Sequence, residues 1–166
     1  MTTDAPTDPS TGSPGDRSGR AYPDRPWVGV GVIVWKGEEL LLIRRGRAPR
    51  LGQWSLPGGA QGVGETVFET AAREVLEETG LTVEPVEVVT VVDAINRDEE
   101  GRVQYHYTLV EVAAEWRAGE AVAGDDALEV RWAGVEEALR LVPWEETDKV
   151  IRLAAARRAQ ARPASR

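Results

Sequence analysis

The chain reads as an α/β sandwich, with strands beside two principal helices, and not as a doubly wound parallel sheet. Residues 27–35, WVGVGVIVW, alternate at strand period, and a Lys36–Glu39 turn returns the chain into a second strand, Leu40–Arg44. Residues 67–79 carry an unbroken helical pattern between a glycine-rich loop and Gly80. Further strands and two closing helices follow, in the order hairpin, loop, acidic helix, strands, loop, strand, short helix, final helix.

The 166 residues suffice for one domain with a sizeable core. Residues 1–26, MTTDAPTDPSTGSPGDRSGRAYPDRP, are dominated by small, polar and proline residues. They cannot repay their ordering entropy by burial and read as a disordered or extended tail. An arm anchored by Tyr22 over a partner subunit is the alternative, so a homodimer stays open. The domain proper is 27–160, with 161–166 as a C-terminal tail. The formal charge of −8 disfavours nucleic acid and anionic membranes as partners. The absence of cysteine excludes disulfides, zinc–thiolate sites and a thiol nucleophile, and a lone histidine excludes an all-histidine metal site. With neither an apolar signal core nor an 18-residue apolar run, a cytoplasmic enzyme is the simplest expectation.

The first strand sets Gly29 and Gly31 on one face with Trp27, Ile33 and Trp35, and four valines on the other. Glycines inside a strand mark close approach of backbone or ligand, although a sheet face packed under a helix needs no site. Arg44, Arg45, Arg47 and Arg50 cluster just before the loop that leads to the acidic helix. Arg44, at the strand end, is the leading candidate to grip a phosphate bidentately, with Arg45 beside it. In GQWSLP, Trp54 and Leu56 anchor the loop to the core.

Thr66 stands three residues before Glu69, the spacing of a capping box, and Gly80 suits a left-handed helix end. Val67, Phe68, Ala71, Ala72, Val75 and Leu76 make an apolar stripe. On the opposite face Glu74, Glu77 and Glu78 stand three and four residues apart and repel one another. Arg73 offsets only part of that charge. A hard dication with oxygen ligands would offset the rest, whereas a solvated acidic face is the plain alternative. Glu65, in the glycine loop just upstream, adds another carboxylate.

Beyond the helix, Thr82–Val92 reads as a strand broken at Pro85, 93–101 as a polar loop, and Arg102–Val112 as an alternating strand. Tyr105 and Tyr107 share a face with Val103 and Leu109 and are candidates to touch a base or ribose. His106 reads as a packed side chain. Residues 113–124 read as loop, 130–133 as a short strand, 134–141 as a short helix, and Pro143 as the start of the last helix.

The stretch from Gly59 to Leu81 resembles the signature of the Nudix hydrolases. Gly59, Glu65, Arg73, Glu74, Glu77, Glu78, Gly80 and Leu81 match it in register, and the likeness extends over 27–153. A glutamate common in the family's loop is replaced here by Gly62. The resemblance implies a mixed curved sheet between helices, an α/β/α sandwich. It implies Mg2+, with Mn2+ as an alternative, held by Glu74, Glu77 and Glu78 with the Gly59 carbonyl. Glu65 would tie helix to loop, through Arg73, or ligate through water. It also points to Glu129, three residues before Trp132, as a further acid near the metals, and leaves Glu77 and Glu129 both open as the general base. The implied reaction is hydrolysis of a nucleoside diphosphate linked to another moiety. RRG, GQWSLPGG and HYTLVEVAAEW most resemble the ADP-ribose pyrophosphatase branch, giving AMP and ribose 5-phosphate; a pyrophosphohydrolase of modified nucleoside triphosphates is the alternative. Paired acids such as Asp125 and Asp126, at the end of a deep base pocket, would favour the latter.

Overall fold

Alternation in the first strand, β1 (Trp27–Lys36), decides the layering of the molecule. In the computed structural model, which describes residues 19–48, 50–124 and 126–161, the two faces of β1 enter two different cores. Val30, Val32 and Val34 pack with Ala71 and Val75 of helix α1 (Val67–Thr79). Ile33 and Trp35 pack with Ala138 of α2 (Val135–Leu141) and with Val150, Ile151 and Ala154 of α3 (Glu145–Ala161). Helices on both faces of one sheet make the α/β/α sandwich expected from the sequence.

The sheet is mixed. β2 (Glu39–Arg45) returns antiparallel to β1 through Trp35↔Leu40, and the two-residue β3 (Trp54–Ser55) extends β2. β4 (Gly58–Ala60) runs antiparallel to the start of β1, pairing Val30 with Gly59. β5 (Thr82–Arg97) and β6 (Val103–Ala118) form a long antiparallel hairpin, and β6 lies parallel to β1 from Trp27↔Tyr107 to Trp35↔Glu115. β7 (Ala127–Gly134) covers the other edge of β2. No helix among the described residues is long and apolar enough to cross a membrane.

Several boundaries differ from the sequence reading. β5 does not stop at Val92: 93–97 continue as strand. β6 likewise runs on through 113–118, read from sequence as loop, and Pro85 is absorbed at a register shift without ending β5. The β5 extension is held by the hairpin with the start of β6, and the β6 extension by pairing with the distant start of β5 and with β1, which outweighs local polarity. The last helix begins at Glu145, not at Pro143. Of the N-terminal tail, 1–18 lie outside the described residues, as do 162–166 and Asp125. The part that is described reaches the domain: Tyr22 donates its N–H to the Gln104 carbonyl at 2.8 Å and its hydroxyl to Asp98 at 3.0 Å.

Candidate active site

Helix α1 starts and ends as its sequence dictates. Thr66 Oγ1 accepts from the Glu69 N–H, Glu69 accepts in return from the Thr66 N–H, and Gly80 ends the helix at φ 71°. Its buried face keeps Ala71 and Val75 of the apolar stripe read from the sequence but is turned away from the edge that carries Phe68 and Leu76. Phe68 is 39% and Leu76 54% exposed, whereas Thr70, Glu78 and Thr79 are buried. The rotation has a chemical consequence, because it turns Glu74 and Glu78 under the β4 loop. Glu78 accepts the Gly58 N–H at 2.9 Å. Glu74 lies against Gly59, where a Cβ would collide with its carboxylate.

Arg73 braces the arrangement. Its Nε donates to Glu65 Oε1 at 2.5 Å, Nη1 to Glu74 at 2.7 Å and to Glu77 at 3.2 Å, and Nη2 to the Ala60 carbonyl at 3.2 Å and to Glu65 Oε2 at 2.9 Å. Glu65 Oε2 also accepts from the Gly62 N–H and the Thr70 hydroxyl. Both Glu65 oxygens are thus engaged in tying the loop to the helix. The Arg73 hydrogen bond, with Gly62 and Thr70 behind it, holds the Glu65 carboxyl down at about 2. In this geometry Glu65 and Arg73 tie the loop to the helix, the first of the two roles that the resemblance implied for Glu65.

Glu78 is the opposite case. Burial pushes its carboxyl up to about 8, with the Gly58 N–H only partly opposing. Burial also raises Glu74, with Arg73 opposing. Among the described residues no three acidic or histidine side chains already form a cation cage. The donor chemistry still fits a hard dication: Glu74, Glu77 and Glu78 offer carboxylate oxygen, Gly59 a backbone carbonyl, and Glu78 is buried and Glu74 half-buried at a cost that positive charge would relieve.

These acids form one wall of a cleft of about 900 Å³. Gly29 and Gly31 lie along it, so the glycine face of β1 lines a site as well as a core. Tyr107 and Leu109 of β6 also line it, and Trp144 and Thr147 stand at the end of α3. Arg50 stacks on Trp144 with its guanidinium 3.6 Å from the ring centroid. Glu74, Glu77 and Glu78 reach the cleft together with Arg73.

The remaining sequence candidates divide. Arg45 lines the cleft and is largely desolvated, which lowers its pKa, with Glu78 opposing. Arg44 does not line it; its side chain makes a 3.4 Å ion pair with Glu129 across β2 and β7, and both side chains are substantially exposed. Successive strand residues point to opposite faces, so Arg45 faces the cleft while Arg44 faces away from it beside Glu129. Tyr107 lines the cleft and Tyr105 is buried outside it. Asp126 lines the cleft and pairs with Arg47 at 2.5 Å. Glu111 was missed. It is a buried acid at the inward position that follows Tyr105, Tyr107 and Leu109 in the β6 alternation, and a charge there was the available signal.

Comparison with known proteins agrees with this fold. The family model described as NUDIX domain matches residues 25–154. An ADP-ribose pyrophosphatase of Methanocaldococcus jannaschii is 38% identical over 107 residues, covering 64% of this chain and 61% of that protein. A putative 8-oxo-dGTP diphosphatase 3 of Mycobacterium tuberculosis is 41% identical over 90 residues, covering 52% and 39%. The chain thus matches about three fifths and two fifths of the lengths of these curated relatives. A crystal structure of a NUDIX hydrolase from Nitrosomonas europaea superposes with a TM-score of 0.67 at 27% identity, covering 85% of this chain and 76% of that one.

Proposed function

The chain belongs to the NUDIX-domain family, and from that premise we propose that it is a divalent-cation-dependent pyrophosphohydrolase of nucleoside diphosphate derivatives, with ADP-ribose cleaved to AMP and ribose 5-phosphate. The observation that carries this reading is the rotation of α1, which sets Glu74 and Glu78 in a low-dielectric position beneath the Gly58–Gly59 loop, at the wall of a nucleotide-sized cleft. The likeness to an ADP-ribose pyrophosphatase supports the choice of substrate.

Glu74, Glu77, Glu78 and the Gly59 carbonyl would hold Mg2+ or Mn2+. When bound, the metal screens the pyrophosphate charge and acidifies water. Arg45, desolvated beside Glu78, takes a phosphate oxygen. Tyr107 packs on the base or ribose. Glu77, at the exposed mouth and steadied by Arg73, receives the proton of the attacking water. Water oxygen bonds to one phosphorus, the bridging P–O bond breaks, and the second phosphate leaves with the electron pair. Arg73 and Glu65 keep the acids in place.

Incubation with ADP-ribose and Mg2+, read by product chromatography, should yield AMP, and chelator should abolish it. No cleavage of ADP-ribose or related dinucleotides would reject the reading. The partial match to an 8-oxo-dGTP diphosphatase favours a second reading, release of pyrophosphate from a modified triphosphate. Nucleoside triphosphates belong in the same panel for that reason.

A further inference from the structure

Glu111 lies outside the machinery described so far. It is 5% exposed, it lines the cleft, and its Oε2 is buried with no hydrogen-bond partner among the described residues. Leaving a carboxylate oxygen unpaired in the interior is costly, and such groups are retained where a ligand or chemistry uses them.

The strand register fixes its place. Tyr107, Leu109 and Glu111 of β6 stand beside Trp27, Gly29 and Gly31 of β1. The next pair inward, Ile33 and Ala113, belongs to the closed core under α2 and α3. Glu111 is therefore the last cleft residue before the core, at its inner end. Gly31 is needed there, because a Cβ would collide with the Glu111 carboxylate; a Cβ on Gly29 would collide likewise with Leu109. Leu109 and Glu111 thus lie over the two glycines, and the row that faces the cleft runs from an aromatic residue, Tyr107, to one acid at its inner end.

We propose that Glu111 ends a nucleobase subsite, where its carboxyl group pairs with an N–H of the base's hydrogen-bonding edge. The proposal rests on the nucleotide reading above. A second cation is the competing occupant, and the surroundings disfavour it. Burial alone raises the Glu111 carboxyl, to about 7, with no neighbouring charge of either sign contributing. A dication would need several oxygen ligands. A single ring N–H presented from the cleft satisfies the carboxyl group without further ligands.

The test is calorimetric binding of AMP, GMP and purine riboside 5′-monophosphate in Mg2+; the last has a purine ring and no N–H on that edge. The wild type should bind at least one of the two natural nucleotides about tenfold or more tightly than purine riboside monophosphate. Glu111→Leu should erase that preference while keeping the affinity for purine riboside monophosphate. Glu111→Gln, which also serves if the leucine variant fails to fold, should shift the AMP:GMP ratio towards AMP. An amide matches adenine's donor–acceptor edge and mismatches guanine's two donors. A purely structural residue would move all three affinities together or none. Nucleotide binding with unchanged preferences in both variants would overturn the base subsite and leave the hydrolase reading standing. Failure of the wild type to bind any of the three would overturn the base subsite alone if ADP-ribose is still cleaved, and both readings if it is not.

Discussion

Glu65 and Glu78 are thirteen residues apart in the same signature, and their surroundings are opposite. Glu65 receives Arg73 at both oxygens, the Gly62 N–H and the Thr70 hydroxyl, and its carboxyl group is held down at about 2. Glu78 is 7% exposed, has the Gly58 N–H, and is pushed up to about 8. An acid whose lone pairs are filled by the protein is part of the scaffold. An acid buried with its lone pairs largely unfilled is held at a cost to folding and is available for a ligand. The contrast separates a brace, Glu65 and Arg73, from a receiving surface of Glu74, Glu78 and, at the far end of the cleft, Glu111.

The strongest test of that division is Glu78→Gln. The amide oxygen can still accept the Gly58 N–H, so folding is retained, while kcat/KM should fall by about 10²–10³-fold. Near-wild-type turnover with native circular dichroism would erase the distinction. Arg73→Ala should act in the other direction, lowering the urea-unfolding free energy by about 2 kcal/mol, because it strands Glu65 and Glu74 without their cation. An unchanged midpoint would remove Arg73 from the brace.

Proton linkage gives the two groups opposite signs. Glu65, depressed from an ordinary value near 4.5 to about 2, adds stability that is present above 4.5 and lost as pH falls through 2. Glu78 and Glu111, raised to about 8 and about 7, add stability that is full below 4.5 and lost as pH rises through those values. Melting of the metal-free protein should therefore show a falling Tm between pH 5 and 8. Mg2+ should reduce the slope, and so should Glu111→Leu. A flat profile over that window would contradict the burial of both acids. The smallest effect is expected at Glu129→Gln. Its partner Arg44 is exposed and neither lines the cleft, so kcat/KM should change by less than about fivefold. A larger loss would return Glu129 to the catalytic group.

Helix α1 was legible from the sequence residue by residue, since a capping box and a left-handed glycine act over three or four positions. The β1–β2 hairpin and the two-sided alternation of β1 were legible for the same reason, and the signature spacing identified the acids. The centre of the buried side of α1, Ala71 and Val75, was legible in the apolar stripe, but its edges were not: packing against β4 and β5 buries Thr70, Glu78 and Thr79 and leaves Phe68 and Leu76 exposed. Nor could local pattern choose between Arg44 and Arg45, or extend β6 through 113–118, because those outcomes rest on partners far along the chain. The sequence determined which carboxylates this protein carries and at what spacing, through short-range rules of helix and turn. Tertiary structure decided which of them are filled by the protein and which are left for a ligand, because desolvation and hydrogen-bond partners exist only once distant strands and loops have come together.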